Sequence, residues 1–514
     1  MGGFVIGIDA GTESFRAGIF DQAGRCLGFG VSPNRTVHRH PGWAEQSPRD
    51  WDIALVECIR KALSASRVAP SDVRGIGVDG TSCTVVFLDA RGEPLGDALI
   101  WMDIRAVKEA SEVAATGDPA LRYVGHGNVS PEWFPCKAAW VKRNEPQVYA
   151  EAATVFEETD WLAFRLTGER TANIDTTTVR WFYNRSAGGM PVSLYRKMGL
   201  EDVLQKVPSR IVDIGETVGG LTREMSQRTG LPEGIPVAGG GADAFIGVIG
   251  INALKPGTMA LITGSSTLCI GITDHEIHAA GLWGSYPDAI LPGLQVIEAG
   301  QVSTGSVVHW FTAGFVGSEI TEEAARKGCP VYDVLSERAQ KIPPGSEGLV
   351  VLEHWQGNRS PWIDPLSRGV IRGLTLGHSP AHVYRAILEG VAYGTEVILK
   401  KMEQEGVRID SLIACGGATQ SPLWMQIHAD VSGRPIAIPE EQQAVTLGSA
   451  IAATVAAGMH PDITTAASAM VRVRTVVNPD PAAHACYRQY VGQYRETYEC
   501  LKDASHRLVQ SLPS

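Results

Sequence analysis

Asp243 is the residue whose surroundings point most directly to catalysis. It follows a short apolar strand that ends in the glycine run Gly239-Gly240-Gly241. A carboxylate just beyond a glycine-rich strand end lies at the mouth of an α/β sheet, where ligands bind, and it can serve there as a general base. The alternative is an Asp that only caps the helix predicted over residues 244–251.

Two polar turns could each hold a phosphate group. Residues 9–14 and residues 263–267 both join a pair of apolar strands. Glycine and hydroxyl residues in a tight turn let backbone N–H groups approach phosphate oxygens. Either turn alone could be an ordinary hairpin. Two such units, one opening each half of the chain, indicate a duplicated fold with a nucleotide between the halves.

Positioning these residues requires a mixed α/β architecture. The first hairpin leads into a third strand over residues 26–31, and then a helix (51–66) and a buried strand (73–78) begin a helix–strand alternation. At 514 residues, the chain exceeds the size at which a single core stops growing, so two domains are expected.

Composition excludes several classes of protein. Hydrophobic residues make up 44% and charged residues 20%, as in an ordinary globular protein. The net charge of −11 argues against a nucleic-acid partner, which requires a basic face. The sequence has no apolar run of about 18 residues and no secretion signal, so neither a membrane span nor export is expected. The nine scattered cysteines, without CxxC spacing, are typical of reduced thiols in a cytoplasm.

Other polar residues stand beside aromatic or apolar neighbours. Asp103 alternates with apolar residues and precedes Arg105, which fits either a substrate clamp or a surface ion pair. Glu132 lies in the aromatic-rich segment 130–140, which could contact a sugar or pack in the core. Arg180 belongs to a pocket wall or to a packed element.

A third glycine-rich segment follows a buried strand near the C-terminal end. The strand over residues 412–415 runs into Gly416-Gly417 and then a helix. Such a turn allows close approach of a nucleotide, although a lone pair of glycines is also common in purely structural turns.

Taken in order, these patterns resemble the FGGY carbohydrate kinases of the actin-like ATPase superfamily. The first phosphate hairpin (9–16), the second (263–267), the adenosine motif (416–421) and the C-terminal signature (369–389) stand in the family's order and cover nearly the whole chain.

The resemblance implies an α/β fold of two actin-like ATPase (ribonuclease H-like) domains. Each would contain a mixed five-stranded sheet with flanking helices. The N-terminal domain would span residues 1–252 and bind the sugar, and the C-terminal domain would span residues 253–514 and bind the nucleotide. The active site would lie in the cleft between them.

The resemblance also implies roles for individual residues. Asp243 looks like the general base that takes a proton from the sugar hydroxyl, and Asp9 is similar to the carboxylate that holds Mg²⁺, usually through water. The residues that match nucleotide-binding positions for ATP are Gly11, Thr12, Ser14, Gly264, Ser265, Gly305, Gly417 and Ser421. Glu13, also in the first turn, either points away from the phosphates or helps to hold the metal.

Within the family, the chain resembles the ribulokinases. Thr81-Ser82 stands where glycerol kinases have an Arg-Glu pair. By this resemblance the substrate is a ketopentose, D- or L-ribulose, phosphorylated on a terminal hydroxyl. The predicted substrate contacts are Ser82, Asp103, Glu132, Arg180, Asp243 and Glu298.

One departure leaves the sugar open. Ribulokinases tend to carry Lys where this chain has Arg180, and the two side chains are not interchangeable. Xylulose, erythrulose and erythritol therefore remain alternatives, as does a catalytically silent sugar sensor. A nicotinamide dehydrogenase is disfavoured because no strand-coupled GxGxxG occurs. Family members are often homodimers, but no stretch of this sequence identifies an interface.

Overall fold

The computed structural model describes residues 3–125 and 129–512 of the chain. Residues 1–2, 126–128 and 513–514, which fall within the two predicted domain ranges, lie outside the described residues. The strands of the N-terminal half are β1 (Phe4–Ala10), β2 (Ser14–Phe20), β3 (Cys26–Pro33), β4 (Glu45–Gln46), β5 (Val73–Gly80), β6 (Val85–Leu88), β7 (Ala98–Leu99), β8 (Thr154–Glu157), β9 (Thr171–Asn173), β10 (Arg210–Val212), β11 (Thr217–Gly220) and β12 (Pro236–Ala238). The helices of this half are α1 (Pro48–Ser66), α2 (Val107–Ala115), α3 (Phe134–Asn144), α4 (Pro146–Glu151), α5 (Glu158–Thr167), α6 (Ile174–Trp181), α7 (Val192–Lys197), α8 (Arg223–Thr229) and α9 (Asp243–Gly250).

The C-terminal half repeats this alternation with longer helices. Its strands are β13 (Gly257–Thr263), β14 (Thr267–Thr273), β15 (Trp283–Pro287), β16 (Gln295–Gln301), β17 (Val350–Leu352), β18 (Val370–Arg372), β19 (Ile409–Gly416), β20 (Ile436–Pro439) and β21 (Val473–Val477). Its helices are α10 (Gly305–Gly314), α11 (Ser318–Lys327), α12 (Val331–Ala339), α13 (Pro380–Gln404), α14 (Pro422–Ser432), α15 (Ala444–Ala456), α16 (Ile463–Met470) and α17 (Pro481–Gln510).

The two large sheets share a five-stranded plan. In the N-terminal sheet the strand order is β11-β12-β5-β1-β2-β3, and in the C-terminal sheet it is β15-β16-β14-β13-β19-β20-β21. In both sheets, three strands form an antiparallel meander. The first strand of the meander pairs in parallel with a fourth strand, which pairs in parallel with a fifth. The predicted five-stranded mixed sheet therefore occurs twice. The edge strands β11, β15 and β21 are additions that extend the sheets to six and seven strands.

Helix α15 joins the two halves. It comes from the C-terminal half but packs on α9 and on β1 and β5 of the N-terminal sheet. A Cβ atom placed on Gly7 of β1 would lie 1.9 Å from the Thr446 carbonyl oxygen, and one on Gly77 of β5 would lie 1.9 Å from that of Ser449. Only glycine permits this approach. The small residues of α15 thus allow a helix of one half to lie directly against the sheet of the other.

The C-terminal helix α17 has one buried and one solvated side. Tyr487, Tyr494 and Tyr498 are buried against the C-terminal core. The charged residues occupy the opposite side of the helix, so the composition hides an amphipathic pattern.

No helix within residues 3–125 and 129–512 is long and apolar enough to cross a membrane. The nine cysteines all fall in these described ranges and are free thiols.

Candidate active site

Asp243 is the first residue of α9 and faces a cleft between the two halves. We call this space the central cleft; its volume is about 700 Å³ and its lining includes Ser82, Arg180, Asp243 and Glu298. The Asp243 side chain is half-buried, and the Ala244 N–H donates to its Oδ1 at 2.6 Å. Burial raises the pKa of Asp243 to about 6, and the negative charge of Asp9 adds to the effect. A carboxylate with this pKa is ionised at neutral pH yet basic enough to accept a proton.

Asp9 is the penultimate residue of β1 and lies next to a second acid. It is 4% exposed, and the Arg16 Nη1 atom of the neighbouring strand donates to its Oδ2 at 3.1 Å. Asp79 occupies the matching position on β5, in register with Asp9. Burial raises the pKa of Asp79 well above its ordinary range, and the charge of Asp9 raises it further. Burial also raises the pKa of Asp9, and the charge of Arg16 and its hydrogen bond oppose that rise.

Asp9 is suited to a hydrated divalent cation. Among the described residues, no group of three or more His, Cys, Asp or Glu side chains is arranged to hold a metal ion. Mg²⁺ does not need such a group, because it keeps several waters and binds one or two carboxylates together with substrate phosphates. A single carboxylate at the mouth of the sheet meets that requirement.

The first phosphate turn is held by side chains from outside the hairpin. The Gly11 N–H donates to the Ser14 carbonyl at 3.1 Å, which closes the turn. Gln46 Nε2 donates to the Thr12 carbonyl at 2.8 Å, and Trp101 Nε1 donates to Thr12 Oγ1 at 2.9 Å. The turn is therefore fixed on two sides.

Glu13 in the same turn has an exposed side chain, while its backbone carbonyl accepts the Asn34 N–H at 2.8 Å. The exposure favours the alternative in which Glu13 points away from the phosphates.

The second phosphate turn is held by backbone contacts with the start of α10. Its own closure is the bond from the Gly264 N–H to the Ser266 carbonyl, at 2.8 Å. The Thr304 N–H donates to the Ser265 carbonyl at 2.9 Å, and the Gly305 N–H donates to that of Gly264 at 3.2 Å. Gly264 and Ser265 are exposed at the tip. The N-terminus of α10 lies against the turn, where its dipole favours a bound anion.

The third glycine-rich segment meets this turn. Thr263 Oγ1 donates to the Cys415 carbonyl at 2.7 Å and accepts the Ala418 N–H at 3.2 Å. Gly417 is exposed and lines a separate cavity of about 230 Å³. The Ser421 hydroxyl accepts the Trp424 N–H at 3.3 Å and so caps α14. The predicted nucleotide-binding residues of the C-terminal half thus lie around the second phosphate turn. Ser421 also stabilises the start of α14.

In the central cleft, a buried ion pair crosses between the halves. Arg180 Nη1, near the end of α6, donates to Glu298 Oε1 on β16 at 3.0 Å and to the Tyr286 hydroxyl at 3.3 Å. The Tyr286 hydroxyl donates to the same Glu298 oxygen at 3.2 Å. Trp133 lies beneath, with its ring centre 5.9 Å from Arg180 Cζ. This arrangement offers charged donors and acceptors beside an aromatic face, which suits a polyhydroxy ligand.

Ser82 and Glu132 also line the central cleft. The loop that carries Ser82 is fixed from below by Glu158, whose Oε2 accepts the Thr81 N–H at 3.0 Å and the Thr81 hydroxyl at 2.6 Å. The buried amine of Lys137 donates to the carbonyls of Cys83 and, at 2.8 Å, Ile100. It thereby joins the Ser82 loop to the loop that carries Trp101.

Asp103 is placed differently from the other predicted substrate contacts. It is fully buried, lies outside the lining of the central cleft, and accepts the Ala44 N–H at 2.7 Å and both Arg105 Nε and Nη2. Arg105 is itself buried under Trp43, with Cζ 3.6 Å from the ring centre. The structure favours the ion-pair alternative, and the pair is internal instead of superficial. In this structure Asp103 therefore holds Arg105 and does not line the central cleft.

Sequence reasoning missed three residues of the site: Trp101, Tyr286 and Asp79. Trp101 and Asp79 stand in segments that drew attention for other residues. A possible signal for Asp79 was its place after a buried strand like that of Asp9. Tyr286 had no signal, because its partners are 106 and 12 residues away in the sequence.

The model of the N-terminal domain of the FGGY family of carbohydrate kinases matches residues 4–250, and that of the C-terminal domain matches residues 259–457. The chain is 34% identical over 530 residues to a ribulokinase of Geobacillus thermodenitrificans, covering 96% of this chain and 94% of the relative. It is 32% identical over 542 residues to an FGGY carbohydrate kinase domain-containing protein of Xenopus laevis, covering 98% and 96%.

Solved structures show the same architecture. The xylulose kinase of Rhodospirillum rubrum superimposes with a TM-score of 0.85 at 27% identity, covering 98% of this chain and 100% of that one. The two duplicated sheets, the acid-lined cleft and the two family models together establish what this molecule is. The chain belongs to the FGGY family of carbohydrate kinases and is an ATP-dependent sugar kinase.

Proposed function

We propose that this protein transfers the γ-phosphoryl group of MgATP to a terminal hydroxyl of a ketopentose, and that the sugar is ribulose. The observation that carries the proposal is Asp243, a carboxylate of raised pKa that shares the central cleft with Ser82 and with the Arg180–Glu298 ion pair. The ribulokinase relatives support the choice of sugar.

In the proposed reaction, Asp243 accepts the proton of the terminal hydroxyl as the hydroxyl oxygen attacks the γ-phosphorus in line. Phosphoryl transfer depends mainly on positioning and on neutralising charge. Arg16 and the backbone N–H groups of the two phosphate turns would supply positive charge and hydrogen bonds to the phosphates. A Mg²⁺ ion held near Asp9 would neutralise part of the phosphate charge.

The Arg180–Glu298 pair would orient the sugar. Glu298 can accept hydrogen bonds from hydroxyl groups, and Arg180 has donors left over for a carbonyl or hydroxyl oxygen. Ser82, Glu132 and Asp243 complete the proposed set of sugar contacts around the central cleft.

A substrate panel tests the proposal. ADP release is measured with MgATP against D-ribulose, L-ribulose, both xyluloses, erythrulose, erythritol, ribitol and glycerol. We expect one ribulose to give the highest kcat/KM. Asp243→Asn should lower kcat by about 10²–10⁴-fold, because general-base catalysis is lost. Asp462→Asn is the matched control, since Asp462 begins a helix outside the cleft and Asn caps equally well. Full activity in Asp243→Asn would refute the assignment of the base.

A second ketose such as xylulose is favoured by one observation. Arg180 Nη1 bonds both Glu298 and Tyr286, and the guanidinium keeps further donors, among them the Nε that is unpaired within the described residues, in a planar arrangement that a lysine lacks. If the pocket has been adapted to another sugar, Arg180→Lys should shift the ratio of kcat/KM values toward ribulose. If ribulose is already the substrate, Arg180→Lys should lower kcat/KM for ribulose.

A further inference from the structure

The loop that leads to Asp243 is held by a buried acid that has no place in the proposed chemistry. Asp175, on the first turn of α6, is fully buried, and its Oδ1 accepts the Ala242 N–H at 2.8 Å. Ala242 is the N-cap residue of α9 and directly precedes Asp243. A Cβ atom added to Gly241 would lie 2.9 Å from Asp175 Cβ, so the loop lies closely against this side chain.

The same helix reaches the sugar side of the cleft. Arg180 stands five residues after Asp175 on α6 and bonds Glu298 across the cleft. One short helix therefore contacts the base-carrying loop at its beginning and the sugar-orienting ion pair at its end. Because a helix is stiff over this length, it can set the distance between the base and the bound sugar.

Packing alone does not explain why one oxygen of the buried Asp175 carboxyl group is left unpaired. The second oxygen of Asp175, Oδ2, is buried and has no hydrogen-bond partner among the described residues. Buried polar atoms are rarely left unpaired, and those that persist are often found at functional sites. Burial raises the pKa of Asp175 well above its ordinary range, which favours the neutral form, while the charge of Arg180 opposes the shift.

We propose that Asp175 is a positioning residue for the catalytic base: its Oδ1 fixes the Ala242 N–H and so aligns Asp243 with the sugar that Arg180 and Glu298 hold. This inference rests on the proposed function of Asp243. The proposed role requires an acceptor oxygen at the position of Asp175 Oδ1 and does not require a negative charge there.

The chain provides a matched control in its other half. Asp430 on α14 is also buried, and its Oδ1 accepts the N–H of Asp480, the N-cap residue of α17, at 2.7 Å. The bond is of the same type, but α17 carries no residue of the central cleft. Loss of the Asp430 bond should affect folding stability alone.

The first readout is steady-state kinetics on the full chain with the sugar that the wild type uses best. Asp175→Ala should lower kcat by about 10²-fold, the effect expected of a misplacement near 1 Å, with KM for sugar and ATP little changed. Asp175→Asn keeps the acceptor oxygen and should restore kcat. Asp430→Ala should lower the melting temperature but not kcat. If Asp175→Ala does not fold, Asp175→Ser takes its place, because the shorter serine side chain does not bring its oxygen to the Ala242 N–H.

The second readout does not depend on activity. Hydrogen exchange of the peptide covering residues 239–245 should be faster in Asp175→Ala than in the wild type and should return to the wild-type rate in Asp175→Asn. Unchanged kcat or unchanged exchange in Asp175→Ala would overturn the proposal, and so would an equal loss of kcat in Asp175→Asn. If the wild type phosphorylates none of the sugars, the proposed function fails, and hydrogen exchange still decides whether Asp175 holds the loop.

Discussion

The two phosphate hairpins have the same backbone plan, but the first carries charged side chains and the second is neutral. The first, β1–β2, carries Asp9 and Arg16 directly opposite each other in register. The second, β13–β14, places Thr263 opposite Thr267 and has only glycine and hydroxyl residues in its turn. The backbone plan occurs twice, and only the first copy carries charge. Under the proposed function, we expect the first hairpin to serve the reacting phosphoryl group and metal, and the second to hold the nucleotide through neutral contacts.

The hairpins also differ in what holds them. The first turn is braced by the side chains of Gln46 and Trp101. The second is braced by backbone bonds from Thr304 and Gly305 at the start of α10, to which the Ser306 hydroxyl adds a bond to the Ser265 carbonyl at 3.0 Å. The second turn should therefore depend more on the backbone space around it than the first turn does.

The largest expected effect separates the hairpins by charge. Asp9→Asn should lower kcat by about 10³-fold, because an electrostatic group preorganised at the reacting phosphate is lost. Ser265→Ala, at the tip of the second turn, should cost at most about 1 kcal/mol, the net worth of one hydrogen bond. Both are measured by ADP release under saturating sugar. Losses of equal size would contradict the division of roles.

The second prediction tests the backbone support of the second turn. A Cβ atom on Gly305 would lie 2.4 Å from the Gly264 carbonyl oxygen. Gly305→Ala should displace the turn at a cost of about 1–3 kcal/mol, seen as a raised KM for ATP with the sugar KM unchanged. Gly314→Ala, at the other end of α10 where a Cβ meets no neighbour within 4 Å, is the control. A raised sugar KM in Gly305→Ala would count against the assignment.

The third prediction concerns pH. Asp243 has a pKa of about 6 and must be ionised to accept a proton. kcat/KM should therefore fall about tenfold per pH unit as the pH drops below 6. The charge of Asp9 contributes to raising this pKa, so Asp9→Asn should move the fall to lower pH, whereas Ser265→Ala should leave it in place. pH–rate profiles of the three proteins, with enough Asp9→Asn enzyme to measure its residual rate, decide the point.

The smallest expected effect tests the side-chain support of the first turn. Trp101→Phe removes the bond to Thr12 Oγ1 and should cost about 1 kcal/mol in kcat/KM. Thr12→Val removes the same bond from the other side. If the two residues act through this contact, the double mutant should lose little more than either single mutant. Additive losses would show that the contact does not matter.

Much of the fold could be predicted because its signals are local. Continuous apolar strands such as β1 and β5, polar turns, and the glycine run before Asp243 each occupy a few consecutive residues. These signals fixed the hairpins and the two-domain α/β plan. The edge strands were not predictable in the same way, because β11 and β21 are short and largely exposed.

The candidate site was predictable only in part. Residues in recognisable turns, such as Gly264 and Ser265, could be named in advance. Asp103 could not be judged, because the same Asp-x-Arg pattern suits a substrate clamp and a buried ion pair, and only burial distinguishes them. No local sequence pattern marks Tyr286 or Asp175, since each contacts a partner that is distant in the chain.

By itself, the sequence determined which residue types end which strands, and so the candidates for a base, a metal-binding carboxylate and two phosphate turns. These depend on the local periodicity and turn chemistry of the chain. Only the tertiary structure decided which of these groups meet: Asp79 beside Asp9, Asp175 beneath the loop to Asp243, and Arg180 across the cleft from Glu298. The physical reason is that pKa values and hydrogen bonds depend on burial and proximity, which the packing of distant segments creates.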